Sequence, residues 1–186
     1  MLDRIFGTSS VQRCADVLYG KAVEQARQTD FYDHMGVPDT VDGRFEMIAL
    51  HVFLILRRLK QSKEKGNETA QAVFDTMFTD MDRGLRELGA GDLGVARRVK
   101  VMAKAFYGRV SAYELALTSD DDAALTEAAF RNIFRGEEIE RENAILVSSY
   151  MKHQDENLAA QTLETLLDGK VRFAPTQFGK DSISDS

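Results

Sequence analysis

Met47-Ile48-Ala49-Leu50-His51-Val52-Phe53-Leu54-Ile55-Leu56 contains one polar residue, His51. A surface helix keeps one polar face, whereas a segment apolar on nearly every side reads as a central helix enclosed by others. The run is about half of the ~20 residues that span a bilayer, so it reads as a buried element and not an anchor. Upstream, Pro38 restricts Val37 to an extended conformation, and Asp39 or Thr40 can cap a helix that continues to about Lys60. Arg57, Arg58 and Lys60 place cations at the negative end of that helix.

Outward from this segment the apolar spacing stays helical. Ser9 or Ser10 can cap a helix with Val11, Cys14, Ala15, Leu18, Ala22 and Ala26 on one stripe. Asp30 to Thr40 reads as a loop packed down by Phe31 and Tyr32. After a polar linker from Lys63 to Asn67, a third helix carries Ala70, Val73, Phe74, Met77, Phe78, Met81, Leu85 and Leu88. Gly89-Ala90-Gly91 ends it, and Asp92 can cap a fourth, with Val95, Val99, Met102, Phe106, Val110, Tyr113 and Leu117 on one face and Arg97, Arg98, Lys100, Lys104 and Arg109 on the other. Thr118 to Asp122 reads as a capping linker, a fifth helix reaches Gly136, and one or two more occupy roughly 138–168. Two prolines and no Val/Thr-rich alternation argue against a sheet. The expected fold is all-α: one domain over residues 1–173 with six or seven packed helices, and a short flexible tail over 174–186.

At 186 residues and 44% hydrophobic content, the chain can bury a core. A single cysteine, Cys14, excludes a disulfide framework and a cysteine-based zinc site, and fits a reducing compartment. The net charge of −6 argues against nucleic-acid recognition. Charge is uneven, however: residues 44–65 and 93–118 each carry a net of +4, and residues 119–168 a net of −8. Such blocks read as solvated helix faces, or as a basic face for anionic lipid or a ribosomal surface.

Signals for catalysis are weak. Gly89-Ala90-Gly91-Asp92-Leu93-Gly94 matches a dinucleotide fingerprint in letters, but the residues before it read as helix where that fingerprint needs a strand. None of His34, His51 and His153 has a glutamate three residues before it. Asp75, Asp80 and Asp82 lack the loop that a calcium site needs. No metal or cofactor is expected. His51 reads as a core histidine needing a hydrogen-bond partner, for which Asp80 or Asp82 is available.

Several pieces, in order, resemble the ubiquinol–cytochrome c chaperone family: Pro38-Asp39-Thr40 through Phe45, Leu50-His51, Asp80-Met81-Asp82, Tyr107-Gly108-Arg109 with Tyr113-Glu114, Ser119-Asp120, Arg131-Asn132-Ile133-Phe134 and Gly169-Lys170-Val171-Arg172-Phe173. They span about residues 31–173. The resemblance implies a non-enzymatic assembly factor for respiratory complex III that holds nascent or unassembled cytochrome b. It also implies the ribosome exit region or the inner-membrane surface as surroundings, and a small partner protein. With no tryptophan and no presequence in the chain as given, it looks like a bacterial relative, expected in the cytoplasm and peripheral to the inner membrane.

A holder of apolar helices needs an exposed apolar groove. Met77, Phe78, Met81, Met102 and Phe106 are its expected lining, although singly each reads as core. Arg44, Arg86 and Arg109 are expected at its rim, and Asp39, His51, Asp80 and Asp82 in a polar brace. Two alternatives remain at this point. One is a membrane or ribosome adaptor using the basic 57–65 and 93–109 segments. The other is a helical enzyme with a pocket at His51, which a histidine sealed in the core would discourage.

Overall fold

A computed structural model describes residues 2–61, 64–87, 89, 91–136 and 140–176. Its helices are α1 (Leu2–Ala26), α2 (Asp30–Asp33), α3 (Val41–Leu59), α4 (Glu64–Glu87), α5 (Asp92–Thr118), α6 (Asp122–Asn132), α7 (Arg141–Ala160) and α8 (Leu163–Leu167). Six are long and two, α2 and α8, are about one turn. The described residues form one all-α domain with no strand.

The apolar run is the middle of α3. Met47, Leu50, Val52, Leu54 and Ile55, on different sides of the helix, are all sealed from solvent. The reason is visible in the packing: α1, α4, α5, α7 and α8 all touch α3. Each fully buried aliphatic side chain there contributes about 1.5–3 kcal/mol.

The entry to α3 explains the sequence around Pro38. Thr40 is the cap, and its hydroxyl accepts from the Gly43 amide at 3.1 Å. A Cβ on Gly43 would lie 2.0 Å from the Pro38 carbonyl oxygen, so only glycine lets α3 start this close to the preceding loop. Gly36 has φ +66° and its α-carbon faces Asn143 at the start of α7.

Some local expectations change. Helix α1 begins at Leu2, upstream of the expected cap at Ser9 or Ser10, because no proline interrupts residues 2–9. The 30–40 loop contains the short α2, with Phe31 fully buried. Gly91 is the cap of α5 and Asp92 is its first residue. Of the glycine-rich letters at 89–94, Gly89 follows the end of α4 with φ +85°, and residues 92–94 already belong to α5. Lys63, Leu88 and Ala90 lie outside the described residues. So do residues 177–186 of the expected tail; before them, Ala174 exchanges hydrogen bonds with Gln154 and Thr176 donates to Asp30.

Candidate functional site

One large open groove lies at the end of the bundle where α3 begins, α4 ends and α5 begins, with a cavity volume of about 1250 Å³. Its apolar floor and walls include Phe45 and Ile48 of α3, Met81 and Leu85 of α4, and Val101 and Met102 of α5. Val101 is 63% exposed and Val41, at the lip, 75%. Gly84 and Gly94 also line it, and a Cβ on either would meet nothing within 4 Å. The α5 lining residues Gly94, Arg97, Arg98, Val101, Met102, Ala105 and Arg109 recur at helical spacing, so one face of α5 forms a wall.

The charges of the groove run against those of the chain. Seven arginines and four carboxylates line it. Arg44 pairs with Asp39 at 2.6 Å, and Arg83, Arg109 and Arg135 pair with Asp80, Glu46 and Asp42. Arg97 and Arg98 are exposed and form no ion pair among the described residues.

The expected site residues separate into three groups. Arg44, Met81, Met102 and Arg109 line the groove, and so does Asp80, expected in the brace. Met77, Phe78 and Phe106 do not; they are buried, with exposures of 0%, 9% and 1%. Phe78 and Phe106 belong to an aromatic cluster with Phe74 that locks α4 to α5, which is why they point inward. Arg86 is outside the groove. It pairs with Asp82 at 2.6 Å and with Asp92, tying the α4–α5 corner.

The residues expected in the brace have separate partners. Asp80 accepts from the Tyr19 hydroxyl at 2.7 Å, joining α1 to α4. Asp82 bonds only within its own corner through Arg86. Asp39 is an exposed partner of Arg44. Arg109, expected at the rim, is a floor residue: its guanidinium grips Glu46 and lies 6.0 Å from the Phe45 ring. Burial pushes the Glu46 carboxyl above its ordinary range, against the pull of Arg109.

His51 is sealed, with neither Asp80 nor Asp82 as partner. Its Nδ1 lies 2.7 Å from the Met47 carbonyl, which can only accept, so Nδ1 carries the proton. Burial pushes the ring pKa down to about 4, so it is neutral. Nε2 therefore accepts from the Tyr150 hydroxyl at 2.7 Å, and Tyr150 in turn accepts from Gln25. Every polar atom of the ring is used, Phe31 and Phe173 stack on it edge-on, and the residue has no exposed surface. That arrangement discourages the helical-enzyme reading.

The 57–65 basic segment is also partly consumed. Arg57, 14% exposed in its side chain, bridges Glu114 and Asp155, and Arg58 donates to the Leu158 and Gln161 carbonyls at the end of α7.

The family model for the ubiquinol–cytochrome c chaperone matches residues 33–173, which contain α3, α4, α5 and every residue of the groove lining except Arg27. The chain belongs to this family. Among curated relatives, ubiquinol–cytochrome c reductase complex assembly factor 1 of Mus musculus is 26% identical over 159 residues, covering 85% of this chain and 54% of the mouse protein. The Xenopus laevis protein of that description is 25% identical over the same length, covering 79% of its own. The chain thus spans about half the length of the mouse relative. A solved structure, the Cbp3 homolog from Brucella abortus, superposes with a TM-score of 0.83 at 37% identity, covering 95% of this chain and 98% of that one. No helix among the described residues is long and apolar enough to cross a membrane. Arg97, Arg98, Leu85 and Val101 were missing from the expected lining. Arg97 and Arg98 stood out only as part of a basic helix face, and Val101 lies on that polar side.

Proposed function

We propose that the protein is a non-enzymatic assembly chaperone for the ubiquinol–cytochrome c reductase complex, and that it holds newly made or unassembled cytochrome b in the α3–α4–α5 groove. The observation that carries this reading is the exposed apolar floor of that groove on a scaffold of this family. Apolar helices left in water aggregate, and a helix-lined groove covers them by packing one apolar face. Met81 and Met102 give the floor side chains that adapt to varied surfaces. On this reading the protein works in a bacterial cytoplasm beside the inner membrane, near the ribosome exit, with or without a small partner protein.

A deletion strain tests the role: cytochrome b and the assembled complex should fall, and normal levels of both would refute it. Photo-crosslinking from Val101 tests the place, with cytochrome b as the expected adduct.

A second reading is supported by the outward face of α5. Leu93, Tyr107 and Leu115 are 91%, 58% and 72% exposed there, beside exposed Lys100 and Lys104. Such a face suits an anionic membrane surface, at roughly 1 kcal/mol per cation. Salt-insensitive binding to neutral and anionic liposomes alike would count against it.

A further inference from the structure

We infer that the groove selects helical segments that carry carboxylates beside their apolar stripe, and that Arg97 and Arg98 are the residues that read those carboxylates. This rests on the groove being the client site. The charge balance carries the inference. The chain as a whole is net −6, yet the groove lining holds seven arginines against four carboxylates. Four of those arginines are answered by Asp39, Glu46, Asp80 and Asp42 of the same chain. The other three, Arg27, Arg97 and Arg98, form no ion pair among the described residues, and Arg97 and Arg98 stand one turn before Val101 and Met102 on the same wall.

A wholly apolar helix seated on Phe45, Met81 and Met102 would strip water from Arg97 and Arg98 without replacing it, which is unfavourable. A carboxylate at the edge of the apolar stripe supplies that partner, and the guanidinium fork matches it with two parallel hydrogen bonds. All the cations of the lining are arginine, whereas Lys100 and Lys104 are exposed outside the groove. Concave shape, apolar floor and forked cations together suit a helix with acidic flanks better than a flat lipid surface.

The test uses the full chain and three fluorescein-labelled helical peptides with one common apolar stripe and glutamate, glutamine or lysine flanks. Binding is read by fluorescence anisotropy for wild type, the Arg97→Gln/Arg98→Gln double variant and Gly94→Leu. Gly94→Leu projects a side chain into the groove from a position where an added Cβ meets nothing, and its helical circular dichroism should match wild type. The glutamate peptide should bind wild type about tenfold more tightly than the glutamine peptide, as two rim ion pairs allow. That preference should vanish in the double variant, and Gly94→Leu should weaken every peptide. Equal binding of the glutamate and glutamine peptides to wild type, with Gly94→Leu still weakening both, would overturn the carboxylate selection and leave the groove as client site. No effect of Gly94→Leu on any peptide would overturn the groove itself. Pelleting with vesicles of phosphatidylglycerol and phosphatidylcholine that depends on Arg97 and Arg98, without peptide discrimination, would also overturn it by assigning the pair to lipid.

Discussion

Arg109 of α5 donates through Nε and Nη2 to the two carboxylate oxygens of Glu46 in the first turns of α3. The fork joins two helices at the floor of the groove, where the Glu46 side chain is 9% exposed and that of Arg109 16%. Arg109→Ala strands a buried carboxylate and should cost about 3 kcal/mol in urea denaturation. An Arg109→Met/Glu46→Leu double variant should recover most of that loss, because neither charge is then left buried alone. Recovery of none of it would show that the pair does more than hold the helices.

His51 should make stability fall in acid. Its folded pKa of about 4 lies below the ordinary 6.5, so the unfolded chain takes up a proton that the folded one refuses. The stabilisation is complete above about pH 6.5 and is lost as pH falls toward about 4, by about 3 kcal/mol in all. His51→Gln should flatten that part of the profile. An unchanged acid slope in the variant would assign it to other groups.

Two glycines on neighbouring helices should respond with opposite sign. Gly43→Ala drives a methyl into the Pro38 carbonyl and should destabilise by about 1–3 kcal/mol. Gly84→Ala places its methyl in open space inside α4 and should stabilise by about 0.5–1 kcal/mol. Denaturant midpoints measured side by side decide both.

Phe106 and Val101 are five residues apart on α5 and should separate folding from binding. Phe106→Asp buries a charge in the Phe74–Phe78 cluster and should unfold the protein, seen as lost helical circular dichroism. Val101→Asp should leave the spectrum intact and reduce client crosslinking. A folded Phe106→Asp variant would contradict the packing described here.

The position of α3, the glycine joints at 89–91 and 136, and the helix phases were legible in the sequence, because periodicity and capping are local. The central helix needed no partner to announce itself: only enclosure explains ten residues with one polar member. What the phases could not distinguish is a side chain that faces another helix from one that faces a gap between helices. Met77 and Met81 share a stripe on α4, yet Met77 is fully buried in the core and Met81 lines the groove. Nor could spacing say which cations are already paired. Glu46 reaches Arg109 across 63 positions and Arg57 reaches Asp155 across 98, whereas Arg97 and Arg98 form no ion pair among the described residues. Helix formation is settled by neighbours along the chain; which charges stay free is settled by residues that only folding brings close.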